Sequence, residues 1–176
     1  AFFAVGAWIY YNTAVLNRYE SRSATLDHQA KYERRYRKYL ALPNPSLTRV
    51  RADVAIFPAQ RRVTIDGSYA LQNKTDAPID TLVIQTDRDV VTTFGALPAH
   101  RVAVDDAGFG MRVLTLEQPL APGASSSLTF KVEASHAGFD SNASMGLVHG
   151  NGTMFTSEAY FPKFGYVQAY ELEDRN

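Results

Sequence analysis

Residues Thr48 to Asn73 read TRVRADVAIFPAQRRVTIDGSYALQN. In the first half Val50, Ala52, Val54 and Ile56 alternate with Arg51, Asp53 and Ala55. In the second half Val63, Ile65, Gly67, Tyr69 and Leu71 alternate with Arg62, Thr64, Asp66, Ser68 and Gln72. Successive strand side chains point to opposite faces, so each half predicts a strand with one buried and one wet face. Pro58-Ala59-Gln60-Arg61 predicts a short turn between them, hence an antiparallel hairpin. No nucleophile, metal-ligand set or phosphate-binding loop sits on this stretch. It is scaffold.

Downstream, Asn73 to Pro78 has turn composition, and Thr81 to Thr86 (TLVIQT) predicts a strand. Further strands are predicted at Val90–Phe94, Arg101–Val104 and Met111–Leu116, followed by a loop over Gln118–Gly123. Ser126–Ala134 alternates cleanly, with Leu128, Phe130 and Val132 inward and Thr129, Lys131 and Glu133 outward. His136–Asn151 is rich in Gly, Ser and Asn and reads as a long loop. Short strands separated by turns at this spacing imply an all-β core, a sandwich or saddle of antiparallel sheets.

Upstream the pattern is helical. Ser23–Leu42 places Tyr32, Tyr36 and Leu40 on one side, with Thr25 or Asp27 as the expected cap and Pro43 as the stop. Lys31, Arg34, Arg35, Arg37 and Lys38 make it basic, which suits either anionic lipid headgroups or an ordinary solvated face. Ala1–Leu16 is apolar apart from Asn12 and Thr13. As a helix it would span about 24 Å at 1.5 Å per residue, short of a hydrocarbon core of about 30 Å. With no basic n-region or cleavage site it reads as the end of a transmembrane helix, the other reading being an amphipathic or buried helix. In the membrane reading Trp8, Tyr10 and Tyr11 sit in the interfacial belt, with Arg18 just outside. The expected organisation is therefore a membrane-helix end over 1–17, a helical linker over 18–43 and a β domain over 44–176. Residues 1 to 42 are expected to lie outside the β core.

The 176 residues carry 18 basic and 18 acidic side chains and no cysteine. Zero formal charge leaves no general nucleic-acid footprint. Absent cysteine excludes disulfides, thiolate catalysis and Cys-ligated zinc. His28, His100, His136 and His149 are scattered, and no His-Glu-x-x-His pair, nucleophile elbow or P-loop occurs. Asp105-Asp106 and the Glu171/Glu173 pair read as solvated charges in loops or at an end. Asn73, Asn142 and Asn151 each open an Asn-x-Ser/Thr triplet, a pattern short enough to arise by chance.

Several pieces taken in order carry a resemblance. They are WIYYNTAVLN (Trp8–Asn17), KYERRYRKYLALPNP (Lys31–Pro45), the Thr48–Asn73 hairpin with NKTDAPI, PLAPG (Pro119–Gly123), and HGNGTMF followed by FPKFGYVQAYELED. Together they resemble the segment of bacterial ABC-2-type permease/M1-family aminopeptidase fusion proteins between the last transmembrane helix and the peptidase domain. The resemblance implies an N-terminal β-saddle domain of an M1 metallopeptidase, with the zinc and the catalysis in a following domain. This chain then has no cofactor and no catalytic residue of its own. The implied partners are that peptidase-like domain, the lipid bilayer through the N-terminal helix, and transporter subunits; nucleic acid is not among them.

In M1 enzymes a polar side chain before a Phe-Pro stretch helps to bind the substrate's free amine. Glu158 precedes Phe161-Pro162 here, at a shorter spacing, and is the corresponding candidate. Phe155, Tyr160, Phe161, Phe164 and Tyr166 crowd around Pro162 and are expected to be partly exposed, as a docking surface for the following domain. The other expectation is that they close the domain's own core. Arg18, Arg22, Lys31, Arg34 and Arg35 favour a cytoplasmic side, whereas the peptidase resemblance favours an extracytoplasmic, periplasmic one, which is the side expected. A different class of function, a structural or binding module of a transporter with no peptidase chemistry, fits the same residues.

Overall fold

The computed structural model describes residues 2–16, 20–138, 147–149 and 152–172, with only the backbone of Leu147 and His149. Arg18, Asn142, Asn151, Glu173 and most of the expected loop His136–Asn151 lie outside the described residues. An apolar helix α1 (Phe2–Tyr10) runs into a π-helical stretch, Tyr11–Val15. Helix α2 (Arg22–Tyr36) follows and ends in a 3-10 turn, Arg37–Tyr39. The strands are β1 (Ser46–Phe57), β2 (Arg62–Gln72), β3 (Ile79–Gln85), β4 (Val91–Phe94), β5 (His100–Asp106), β6 (Met111–Leu120) and β7 (Ser125–Ser135). The small pieces β8 (Leu147–His149), β9 (Gly152–Met154), α3 (Ser157–Tyr160) and β10 (Lys163–Phe164) come last.

Two four-stranded antiparallel sheets result, one ordered β1-β2-β7-β4 and the other β10-β3-β6-β5, and β8 pairs with β9. The hairpin forms as its periodicity predicts. Val63, Ile65, Tyr69 and Leu71 of β2 are buried beside Leu128, Phe130 and Val132 of β7. A 3-10 turn, Pro58–Gln60, closes it, with Arg61 in the left-handed region at φ 49°. Gly67 is required by packing: a Cβ there would stand 2.2 Å from the Phe130 ring.

The two central strands of the second sheet, β3 and β6, are buried on both faces. Leu82 and Ile84 of β3 join Leu114 and Leu116 of β6 in one cluster, while Val83, Met111 and Val113 of the same strands join Tyr32 and Tyr36 of α2 in another. Phe94, Leu97 and Phe164 pack against both that first cluster and the core of the β2–β7 sheet. The order of layers is therefore sheet, sheet, helix, and the period-2 alternation of β3 and β6 divides their apolar side chains between two interiors.

Four expectations are corrected. Tyr32 and Tyr36 are 2% and 4% exposed, so α2 belongs to the core, whereas residues 1–42 were expected outside it. Its cap is Ser21, whose Oγ accepts from the Ala24 amide at 3.3 Å, and neither Thr25 nor Asp27. The expected loop over 118–120 is the end of β6, which pairs Leu120 with Ile79 beyond a register shift that accommodates Pro119. The fourth concerns β1. Its apolar face lies in register with the buried face of β2, Val50 beside Tyr69 and Val54 beside Ile65, yet Val50, Val54 and Ile56 stay 48%, 40% and 38% exposed. The covering layer does not reach this edge.

Candidate functional site

The polar chemistry of the domain concentrates where α2 meets the second sheet. Tyr36 and Tyr32 stand one helical turn apart, so both rings point at the sheet. The Tyr36 hydroxyl donates to Asp106 Oδ2 at 2.5 Å, and Arg35 Nη1 reaches the same oxygen at 3.0 Å. The Tyr32 hydroxyl accepts from the Val167 amide at 3.0 Å, and its ring stacks on Tyr166 at 4.9 Å between centroids. His28 stacks on Phe109 at 4.3 Å. Arg88 of the β3–β4 connection pairs with Glu20, just before the helix, at 2.7 Å.

Beneath this seam lies a cleft of about 270 Å³ whose lining includes His28, Gln29, Gln85, Asp87, Phe109 and Tyr170. Gln85 is 1% exposed, and its Nε2 donates to the carbonyls of Phe109 and Thr86 at 2.6 and 3.1 Å. Those bonds hold the β5–β6 turn, where Gly110 has φ 62° and a Cβ would fall 2.0 Å from the Thr86 carbonyl oxygen. Burial pushes the Asp87 carboxyl above the usual carboxylate range, against the opposing bond from the Asp89 amide. Burial also lifts the Tyr32 and Tyr36 hydroxyls to about 12, the Asp106 carboxylate adding to the rise at Tyr36. These phenols stay protonated at neutral pH and are hydrogen-bond donors or acceptors, not bases. Among the described residues no three His, Asp or Glu side chains gather closely enough to hold a metal ion. What the arrangement does chemically is fasten a helix to a sheet.

The residues singled out in the sequence are scattered over the fold. Trp8, Tyr10 and Tyr11 are 57%, 65% and 52% exposed on an N-terminal helix without a buried residue. Arg18 lies outside the described residues. The five late rings turn toward the chain itself. Tyr160 and Tyr166 are buried, which removes them from any docking surface in this structure. Phe155, Phe161 and Phe164 are half-buried, with Phe161 against Phe130 and Phe164 against Tyr69. Glu158 is exposed in the first turn of α3. Asp105 and Asp106 sit at the end of β5, not in a loop, and each is ion-paired, to Arg112 and Arg35 respectively. Asn73 is fully buried, its Nδ2 donating to the carbonyls of Ala77 and Leu120 at 2.8 Å each. It is a turn clamp inside the fold.

Sequence reasoning missed Gln85, Asp87 and the Arg88–Glu20 pair. Their only signal was a charged triplet, Asp87-Arg88-Asp89, following a strand. Comparison with protein-family models and with curated proteins gives no match.

Proposed function

We propose that this chain is the noncatalytic β domain of a membrane-anchored protein similar to M1 aminopeptidases, packing on a following catalytic domain and shaping peptide access to it. The observation that carries the anchoring is the contrast between the two helices. α2 is fastened to the sheet by buried tyrosines and an ion-paired carboxylate, whereas α1 exposes Phe2, Phe3, Val5, Trp8 and Ile9. The two polar residues of the apolar run return their polar groups to the helix itself: Asn12 Nδ2 donates to the Trp8 carbonyl and Thr13 Oγ1 to the Ile9 carbonyl, both at 2.8 Å. That is how a helix satisfies such groups where water is absent. Among the described residues no helix is long and apolar enough to cross a membrane, so the anchoring reading concerns the immersion of α1, on the periplasmic side of a bacterial inner membrane. The two antiparallel sheets are the coarse architecture that an M1-type β domain needs.

Flotation with phosphatidylethanolamine/phosphatidylglycerol vesicles tests the anchoring. The chain should rise with the lipid, and Phe3→Lys with Ile9→Lys should leave it at the bottom of the gradient. Flotation unchanged by the two lysines sinks the proposal. The peptidase part is read from the sequence beyond Asn176, where His-Glu-x-x-His with a downstream Glu is expected; its loss favours the transporter-module reading.

A further inference from the structure

Sheet edges offer unpaired backbone groups to any passing strand, and proteins blunt them by shortening, bulging or covering them. Of the four edges of the two four-stranded sheets, three are blunted: β4 has 4 residues, β10 has 2, and β5 is broken by a register shift between Val102 and Val104. The fourth edge is β1, and its only irregularity falls at its start, between Leu47 and Arg49. From Arg49 to Phe57 the ladder is regular and without proline, and the side chains of Val50, Val54 and Ile56 stay exposed on the face that continues the core. Among the described residues nothing covers it.

The central residues of this strand are Val50-Arg51-Ala52-Asp53-Val54. Turned end for end, the segment keeps its apolar residues in place and exchanges Arg with Asp. Among the described residues Asp53 also lacks a good partner. Across the ladder it faces Asp66, which already takes Lys131 at 3.0 Å. Its contact with Arg51, two residues along the same strand, is 4.0 Å, and the two side chains are 77% and 79% exposed.

We propose that β1 is the contact strand of a symmetric homodimer, pairing antiparallel with β1 of a second copy about a dyad at Ala52. In that register Val50 faces the partner strand's Val54, Ala52 faces its counterpart, and Arg51 faces the partner strand's Asp53 twice over. The two Arg51–Asp53 pairs are stabilising cross-strand neighbours, and the like-charge opposition of Asp53 to Asp66 gains a cation beside it. The interface is isologous, so it closes at two copies and leaves no repeating edge. The two β1–β2–β7–β4 sheets become one continuous sheet, with the exposed valines joined across the seam.

Arg51 and Asp53 are exposed, so reversing their charges tests the contact without touching the core. Sedimentation of the full chain in mild detergent should give a dimer. Arg51→Asp alone, or Asp53→Arg alone, puts like charges opposite each other in both pairs and should weaken self-association by roughly tenfold or more. Mixing the two single variants, or combining both substitutions in one chain, should restore it. Because the chain has no cysteine, Ala52→Cys should form an intermolecular disulfide on mild oxidation, and Ala55→Cys, which faces Arg49 of the partner strand, should do so far more slowly. A chain monomeric at every concentration overturns the proposal. So does a dimer indifferent to both charge reversals, as association through α1 or another surface would be. Equal cross-linking of the two cysteine variants overturns the register.

Discussion

At Tyr36 one hydroxyl carries both the attachment of α2 and a pH response. Its pKa is lifted to about 12 by burial, with the carboxylate of Asp106 contributing. An unfolded tyrosine ionises near pH 10. The folded state therefore holds this proton more tightly than the unfolded one. The corresponding stability is fully present below about pH 10 and is lost as the pH rises through about 12. Tyr32, lifted to about 12 by burial, acts in the same direction. Thermal melting followed from pH 9 to pH 12 should fall steeply over the upper part of that range, and Tyr36→Phe should make the fall shallower. The same variant should cost about 1–3 kcal/mol at neutral pH, because it removes a hydrogen bond to a charged acceptor. A Tyr36→Phe profile parallel to that of the parent chain throughout would show that another group carries the response.

The elements differ in how openly the sequence declared them. β2 and β7 are sandwiched between other strands of one sheet, with one covered face each, so their alternation translated directly into burial. β1 carries the same alternation, but its register with β2 says nothing about how far the opposite layer extends, and that layer stops short of it. For α2 the tyrosine face was legible at spacing four, yet the surface it meets is built from Val83, Met111 and Val113, far along the chain. Such non-local partners leave no local trace. The cleft was illegible for the same reason, since it forms only when α2, the end of β3 and the β5–β6 turn come together. The late aromatic segment yields a sharper expectation now than its composition allowed. Phe161 and Phe164 lean on Phe130 and Tyr69, so Phe161→Ala with Phe164→Ala should destabilise the domain by roughly 3 kcal/mol or more. Chemical denaturation measures this. A nearly unchanged midpoint would return these two rings to the role of a docking seam.

For the molecule as a whole, the double-sided burial of β3 and β6 joins layers that might otherwise melt apart. Neither the helix-side cluster nor the sheet-side cluster can be lost without exposing the same pair of strands. Hydrogen exchange in rising denaturant should therefore show amides of α2 and β7 losing protection together, in one transition. Exchange of α2 well before β7 would mean that the helix is a separate, weaker unit. The shared strands also determine where a mechanical load would go. A pull on α2 reaches the domain through its grip on the middle of the second sheet, on Val83 and Val113, and not through a frayed edge. Force arriving from the N-terminal side meets the Glu20–Arg88 pair first and must then slide packed side chains past one another over several residues at once. A domain mounted in this way moves with α2 as one stiff body, and a tilt imposed on that helix is delivered to the far sheet, and to the β1 edge, with little slack.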